Sequence, residues 1–260
     1  MNAPKEHSAS LSAIVIAGRE EHNIAHCLSS LSFADEIIVV CSSREDATMK
    51  IASHYTPHVE FRTFDGYAAQ KQYALDRATK HWVLSLDADE RVTPELREEI
   101  MAVRERSDAA DGYTVPRKNH FRDKWLRHGG WYPDRQLRLF RREKTRLTNR
   151  LVHEGFEVRG SRGELQGALL HFTLPNVRHM LRKNLTYSLY EAREKRGRRR
   201  VGAMDFLFRP PLEFAKKYLL QRGFLDGWEG FVVAAIHALN KMQVLLQLWE
   251  MQHRGEEADS

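Results

Sequence analysis

His81-Trp82-Val83-Leu84-Ser85-Leu86-Asp87-Ala88-Asp89 is an apolar run that stops on two carboxylates. His81 to Leu86 predicts a buried β-strand ending at Asp87. The same texture recurs upstream. Leu11 to Ile16 (LSAIVI) and Glu36 to Val40 (EIIVV) are short, apolar and rich in β-branched residues, and Val59 to Phe61 is a shorter strand of the same kind. Helical spacing fills the intervals. Ile24, Cys27, Leu28 and Leu31 share one face. Asp46 is placed to cap a helix reaching about Tyr55. Gly66 precedes a helix from Tyr67 to Ala78. Downstream, Thr93-Pro94-Glu95 opens a helix to about Arg106, with proline in its first turn.

Strand alternating with helix from Leu11 to Leu86 is the pattern of an α/β fold, a mostly parallel sheet with helices on both faces. Such sheets bind ligands beyond the carboxyl ends of their strands. That edge holds Ala17-Gly18-Arg19-Glu20, Cys41-Ser42-Ser43 and Asp87-Ala88-Asp89.

After Gly112 the pattern loosens. Gly112 to Val115, Gln136 to Phe140 and Leu169 to Phe172 are predicted strands between loops rich in Arg, Gly and aromatics. After Pro175 the chain is predicted helical: Val177 to about Lys195, a second helix started by Pro210-Pro211 and running to about Gln221, and a third from Trp228 to about Gln252. The expected organisation is a tail at 1–10, a catalytic domain at 11–175, a helical extension at 176–254 and a tail at 255–260.

The chain has 260 residues, with 42% hydrophobic and 29% charged, which suits a globular protein and excludes a collagen-like or wholly disordered one. At this length no staple is needed for a core. The two cysteines, Cys27 and Cys41, make no disulfide framework, and Met1 to Ser10 lacks the apolar region of a secretory signal. The expectation is a cytoplasmic protein. Charge is uneven: residues 1–100 carry 10 Lys+Arg against 16 Asp+Glu, and the remainder 31 against 19. The two parts are expected to meet different partners.

Residues two apart on an extended segment point to the same side. Asp87 and Asp89 therefore suggest a site for a hard divalent cation, Mg²⁺ or Mn²⁺, that shares its coordination with a diphosphate. Such a cation neutralises charge on a leaving diphosphate. Two solvated turn carboxylates are the plainer alternative.

The run LSAIVIAGREEHNIAHCLSSLSFADEIIVVCSSREDAT, followed by GYAAQKQYALDRATKHWVLSLDADERVTPEL, resembles the nucleotide-sugar domain of the family-2 inverting glycosyltransferases. With GGWYPDRQLRLFRR, LVHEGF, LLHF and RGFLDGWEGF it resembles their lipopolysaccharide-core β-glucosyltransferase branch, from about Leu11 to Glu250. The resemblance implies a GT-A fold, a nucleotide-diphosphate sugar donor of the UDP-glucose type, and a role for Asp87 and Asp89 in holding metal and diphosphate. It places Ala17, Arg19, Glu20, Cys41, Ser42 and Lys71 around the nucleotide. Two stretches depart from the family pattern. Ala17-Gly18-Arg19-Glu20-Glu21 replaces Thr-Lys-Asn-Glu-Glu, and Cys41 stands where an aspartate usually contacts the base. A thiol is a poor substitute for a carboxylate as acceptor, so a buried inert thiol is expected there. Arg19 offers a guanidinium fork to a phosphate.

Inverting transfer needs one carboxylate to take the proton of the acceptor hydroxyl. Glu154, in Val152-His153-Glu154-Gly155, matches the branch's His-Glu, and Asp134, in Trp131-Tyr132-Pro133-Asp134, is the second candidate. His153 orients the site, touches the metal or is structural. Residues 135–150 hold seven Lys+Arg and one acid, Glu143, which fits either a basic wall for an anionic acceptor or a solvated hairpin. The C-terminal helices mix Phe206, Leu207, Phe208 and Leu212 with Arg209, Lys216, Lys217 and Arg222, and an interfacial role on an anionic leaflet is expected. His237, Asn240 and Lys241 interrupt the apolar stretch from Phe231 to Trp249, which favours a packed or interfacial helix over a spanning one.

The function expected from these features is transfer of a hexose, glucose first, from a nucleotide sugar to an inner-core heptose of a glycolipid. The site of action would be the cytoplasmic face of the inner membrane, with the enzyme peripheral. A polyprenyl phosphate, an exopolysaccharide or a protein acceptor is the alternative for the same chemistry. A nucleotidyltransferase would want a Gly-rich phosphate loop after the first strand, which Ala17-Gly18-Arg19-Glu20 does not supply. A basic nucleic-acid-binding protein, suggested by Arg198-Arg199-Arg200, lacks a recognised module, and no nucleic-acid partner is expected.

Overall fold

The structure, a computed structural model, describes residues 9–148, 155–197 and 200–253. The chain runs β1 (Leu11–Ala17), α1 (Ile24–Ser29), β2 (Glu36–Cys41), α2 (Thr48–Ala52), β3 (His58–Phe61), α3 (Tyr67–Arg77), β4 (Trp82–Asp87), β5 (Glu90–Val92) and α4 (Pro94–Glu105). It continues through β6 (Gly112–Phe121), β7 (Lys124–Trp125), β8 (Asp134–Arg141), β9 (Thr145–Thr148), β10 (Gly155–Val158), β11 (Arg162–Glu164) and β12 (Leu169–Leu174). It closes with α5 (Val177–Lys195), α6 (Ala203–Ala215) and α7 (Gly227–His253). Two compact units result, one formed by Met1–Arg117 with Arg135–His171, the other by Lys118–Asp134 with Phe172–Ser260.

The first unit is the predicted α/β sheet. Its strand order is β3-β2-β1-β4-β8-β6-β12-β5. The pairs β3–β2, β2–β1 and β1–β4 are parallel, while β4–β8 and β12–β5 are antiparallel. Side chains alternate across β1 with a period of two. Leu11, Ala13, Val15 and Ala17 join Ile24, Cys27 and Leu28 of α1, Ala52 of α2, and Leu96, Ile100 and Val103 of α4. Ile14 faces the other way, with Ile38, Val40 and Val83, against Ala74 and Leu75 of α3. Helices thus cover both faces, and the carboxyl ends of β1, β2, β3 and β4 share one edge. Thr93 caps α4, its hydroxyl accepting from Leu96 N at 3.3 Å.

Two local expectations are corrected here. Asp46 is not the cap of α2. Ala47 occupies the N-cap without a side-chain bond, and the Asp46 carboxylate accepts from the Thr48 hydroxyl at 2.6 Å. The helix is correspondingly short, ending at Ala52. Nor do Pro210 and Pro211 start a helix. α6 begins at Ala203 and carries both prolines inside it. Its start is set upstream, where the Asp205 carboxylate accepts from Gly202 N at 3.0 Å and pairs with Arg209 one turn on at 2.7 Å.

The second unit is mainly helical. β6 contributes its last residues to it, pairing His120 with Trp125 and Phe121 with Lys124 of β7. Phe121, Leu126, Leu174, Met180, Val233 and Ile236 form one apolar cluster, and Ala192, Val201, Val244, Leu245 and Leu248 another. α7 is long and apolar enough to cross a bilayer by length and composition, yet 33% of its most apolar stretch is buried within the protein. Two of its polar interruptions are used: Lys241 pairs with Glu191 of α5 at 3.2 Å, and His237 packs edge-on against Trp131. Asp226, just before α7, accepts from the backbone of Arg127 and His128 at 3.0 and 2.8 Å and meets the His128 ring at 2.9 Å.

Candidate active site

β4 lies between β1 and β8, with Ile16 opposite Asp87 and Leu139 opposite Leu84. Its apolar side chains fix the strand, and the first side chain not claimed by the core is Asp87. Ala88 is buried, so the chain turns sharply there, and Asp89 rides on the two-residue turn into β5. β5 pairs antiparallel with β12, which places His171 opposite Glu90.

Asp87 is held by two cations. Lys71 Nζ, from α3, stands 3.0 Å from its Oδ1, and Arg138 Nη2, from β8, donates to its Oδ2 at 2.7 Å. Burial pushes this carboxyl up, but Arg138 and Lys71 outweigh it and hold it well below the usual carboxylate range. Arg138 also pairs with Glu90, whose side chain is fully buried. Glu90 takes a second guanidinium, Arg117, at 3.3 Å, and accepts from the backbone N–H of Asp87 at 3.0 Å. Burial lowers the pKa of Arg138, and the two carboxylates more than reverse this. Asp87 and Glu90 thus lock the backbone and the side chain of the strand end at once.

Asp89 points to a different partner. Its Oδ2 lies 3.4 Å from His171 Nε2. Among the described residues no group of three or more His, Cys, Asp and Glu side chains is arranged as a metal cage. One carboxylate oxygen and one imidazole nitrogen at this separation nevertheless fit adjacent positions on an octahedral ion, which stand about 3 Å apart for Mg²⁺- or Mn²⁺-like bond lengths. Waters and a diphosphate normally supply the rest. Asp87, faced by Lys71 and Arg138, is a poor first ligand for a further cation, because both neighbours repel one.

The other residues predicted for the nucleotide take varied positions. Lys71 is 18% exposed, with its ammonium directed at Asp87. Ala17 ends β1, and its carbonyl accepts from Ser42 N at 2.9 Å and Ser42 Oγ at 3.3 Å. Glu20 is occupied with folding: its carbonyl accepts from Ile24 N at 2.9 Å, and its carboxylate accepts from Asn23 Nδ2 at 2.9 Å. Arg19 is exposed and ion-paired with Glu45. Cys41 is fully buried, because the alternation of β2 turns it with Val39 into the core. Burial first, and Asp46 second, push its thiol up to about 12, so it is an inert S–H at neutral pH. Cys27 is buried beneath the site, donating to the Asp87 carbonyl at 3.8 Å.

Of the two candidate bases, Glu154 lies outside the described residues, as does His153. Asp134 belongs to the second unit, half-buried at the start of β8, where it accepts from Asn119 Nδ2 at 3.1 Å. The same amide nitrogen donates to the Trp131 carbonyl at 3.1 Å, so Asn119 ties Asp134 to its own loop. Among the described residues of 135–148, several of the arginines are engaged within the protein. Arg138 is internal, Arg135 donates to the Leu165 carbonyl at 3.0 Å, Arg142 to the Ala78 carbonyl at 2.9 Å, and Arg146 pairs with Glu157 at 2.9 Å. Arg141 stands 3.4 Å from Asp111, its guanidinium 4.9 Å from the centre of the Trp82 ring.

Sequence reasoning overlooked Glu90, Arg117, Arg138 and His171. Two signals were present. Glu90 follows the acidic motif immediately, and Arg138 interrupts the apolar side of a strand whose next two residues, Leu139 and Phe140, are fully buried.

Comparison with known proteins identifies the family. Residues 12–161 match the model of glycosyl transferase family 2. The chain is 31% identical over 242 residues to the lipopolysaccharide core biosynthesis glycosyltransferase LpsC of Rhizobium meliloti, covering 88% of each. It is 25% identical to an uncharacterized glycosyltransferase of Rickettsia typhi, over 93% of this chain and 87% of that one. Among solved structures, S. aureus TarS in complex with UDP-GlcNAc aligns with 94% of this chain and 91% of its own at a TM-score of 0.48 and 13% identity. Glucosyl-3-phosphoglycerate synthase from Mycobacterium tuberculosis aligns over 44% of each chain at a TM-score of 0.36 and 19% identity. The match to the family model over more than half its length, and the relative at 31% identity, show that the chain belongs to glycosyl transferase family 2 and is a glycosyltransferase of GT-A fold.

Proposed function

We propose that the protein transfers a hexose, glucose first, from a UDP-sugar to an inner-core heptose of lipopolysaccharide, at the cytoplasmic face of the inner membrane. The likeness to LpsC supports the acceptor class. The observation that carries the chemistry is the paired arrangement at the tip of β4: Asp87 braced by Lys71 and Arg138, and Asp89 facing His171.

In this reading the donor's diphosphate lies over the turn at Asp87-Ala88-Asp89. Lys71 meets the negative charge of the diphosphate, and Asp87 keeps Lys71 in place. Asp89 and His171 would hold Mg²⁺ or Mn²⁺, which, when bound, neutralises charge on the departing diphosphate. Transfer is a direct displacement. The acceptor hydroxyl oxygen bonds to the anomeric carbon, the bond from that carbon to the diphosphate oxygen breaks, and the hydroxyl proton passes to a carboxylate. Glu154 is proposed as that carboxylate and Asp134 as the second candidate. Removing such a base slows transfer by about 10²–10⁴-fold.

The test is a transfer assay with purified heptose-terminated lipopolysaccharide and a panel of nucleotide sugars. Glucose transfer from UDP-glucose, dependent on Mg²⁺ or Mn²⁺ and lost in Glu154→Gln, is expected. Transfer only to a polyprenyl phosphate, a polysaccharide or a protein would overturn the acceptor assignment.

A further inference from the structure

The helical unit carries an apolar surface that its own fold leaves open. α6 is apolar on two sides. On the inner side Pro210 is buried, and Phe206 packs with Val201, Val244 and Leu248. On the outer side Met204, Leu207, Phe208 and Leu212 recur at helical spacing, forming one stripe. They are 65%, 63%, 48% and 62% exposed. The surface continues past the helix end. Leu220 is 80% exposed, and Trp228, 71% exposed, stacks on Phe231, which in turn meets Phe214 of α6. The outward face of a globular surface helix is normally polar, and a contiguous apolar patch marks an interaction surface.

The charge around the stripe points to its occupant. Residues 200–222 carry five Lys+Arg against two Asp+Glu. Arg200, Lys216 and Arg222, which flank α6 in the chain, are exposed. Two copies of this face would set cation against cation, which opposes self-association. Leucine, phenylalanine and tryptophan tips ringed by basic residues are what an anionic bilayer interface accepts.

We propose that the outer face of α6, with Leu220 and Trp228, docks on an anionic phospholipid bilayer. The apolar tips enter the headgroup–acyl boundary and the basic residues meet the lipid charge. This deepens the membrane-borne acceptor proposed above, but its test involves no transfer chemistry.

The experiment is co-sedimentation of the full chain with vesicles of phosphatidylglycerol and phosphatidylethanolamine, and with vesicles of phosphatidylcholine alone. Binding to the anionic vesicles, at least about ten-fold tighter than to the neutral ones and weakened by salt, is expected. Leu207→Glu/Leu212→Glu and, separately, Arg200→Glu/Lys216→Glu should each lower partitioning by at least about ten-fold. Both should keep the wild-type melting temperature and UDP-glucose binding. Wild-type protein that stays in solution with anionic vesicles overturns the proposal. So do variants that sediment like wild type, or a wild-type dimer that Leu207→Glu/Leu212→Glu disperses. Vesicle binding without nucleotide-sugar binding would instead count against the enzymatic reading and leave the docking face standing.

Discussion

Arg138 and Asp87 meet at 2.7 Å from neighbouring antiparallel strands, and the same guanidinium holds the fully buried Glu90. One cation inside the sheet thus bridges two carboxylates at the strand tip where the donor is proposed to bind, and Lys71 and Arg117 add one further positive charge to each. Breaking a buried ion pair from one side leaves an uncompensated charge, at a cost of about 3–5 kcal/mol. Arg138→Leu should lower unfolding stability by that amount in urea titration. Wild-type stability in the variant would show that the network is not holding the site.

Cys41 should be chemically silent. Its thiol is fully buried and pushed up to about 12. A thiol reagent should label it only on unfolding. Cys41→Ser should leave the KM for the donor within about two-fold, because the side chain meets the core and no ligand. A large rise in donor KM would place the thiol in the base pocket.

His237 gives the helical unit a sensitivity to acid. Burial, with Lys217 and Lys241 nearby and Glu213 opposing them, lowers its pKa from 6.5 to about 4. A base that resists protonation in the folded state is neutral there and charged in the unfolded state. Its contribution is therefore intact above pH 6.5 and is lost as pH falls from there toward about 4. Melting temperature followed across that window should fall less steeply in His237→Phe than in wild type. Parallel curves would contradict the assignment.

Gly230 has no room for a side chain. A Cβ there would stand 1.9 Å from the Gly223 carbonyl oxygen, a backbone atom that no rotamer change can move. Gly230→Ala should cost about 1–3 kcal/mol, as overpacking of a tight contact does. Chemical denaturation measures it directly, and an unchanged midpoint would show that the two segments separate freely.

Much of the first unit was legible in the sequence because its parallel strands are short apolar runs buried on both faces, while their helices keep a clear spacing. Trp82 to Asp87 and the face formed by Ile24, Cys27 and Leu28 are examples. Asp46 misled because a short polar side chain before a helix also bonds locally, here to the Thr48 hydroxyl. The proline pair misled because the capping signal for α6 sits upstream at Gly202 and Asp205. At the site, the two aspartates stood out because they follow a strand end, and Lys71 because its segment resembles the family's nucleotide-side helix. Arg138 and His171 come from β8 and β12, far along the chain, and only strand pairing brings them to Asp87 and Asp89. Cys41, expected as a buried inert thiol, turns inward through the pleat of β2.

In the proposed mechanism Asp89 and His171 together hold the cation that binds the donor's diphosphate. Calorimetric titration of UDP-glucose with and without Mn²⁺ tests it most directly in wild type, Asp89→Asn and His171→Ala. Mn²⁺ should tighten binding to wild type by at least about ten-fold, and each variant should lose that gain while keeping its fold. Equal tightening by Mn²⁺ in all three proteins would show that Asp89 and His171 do not hold the cation.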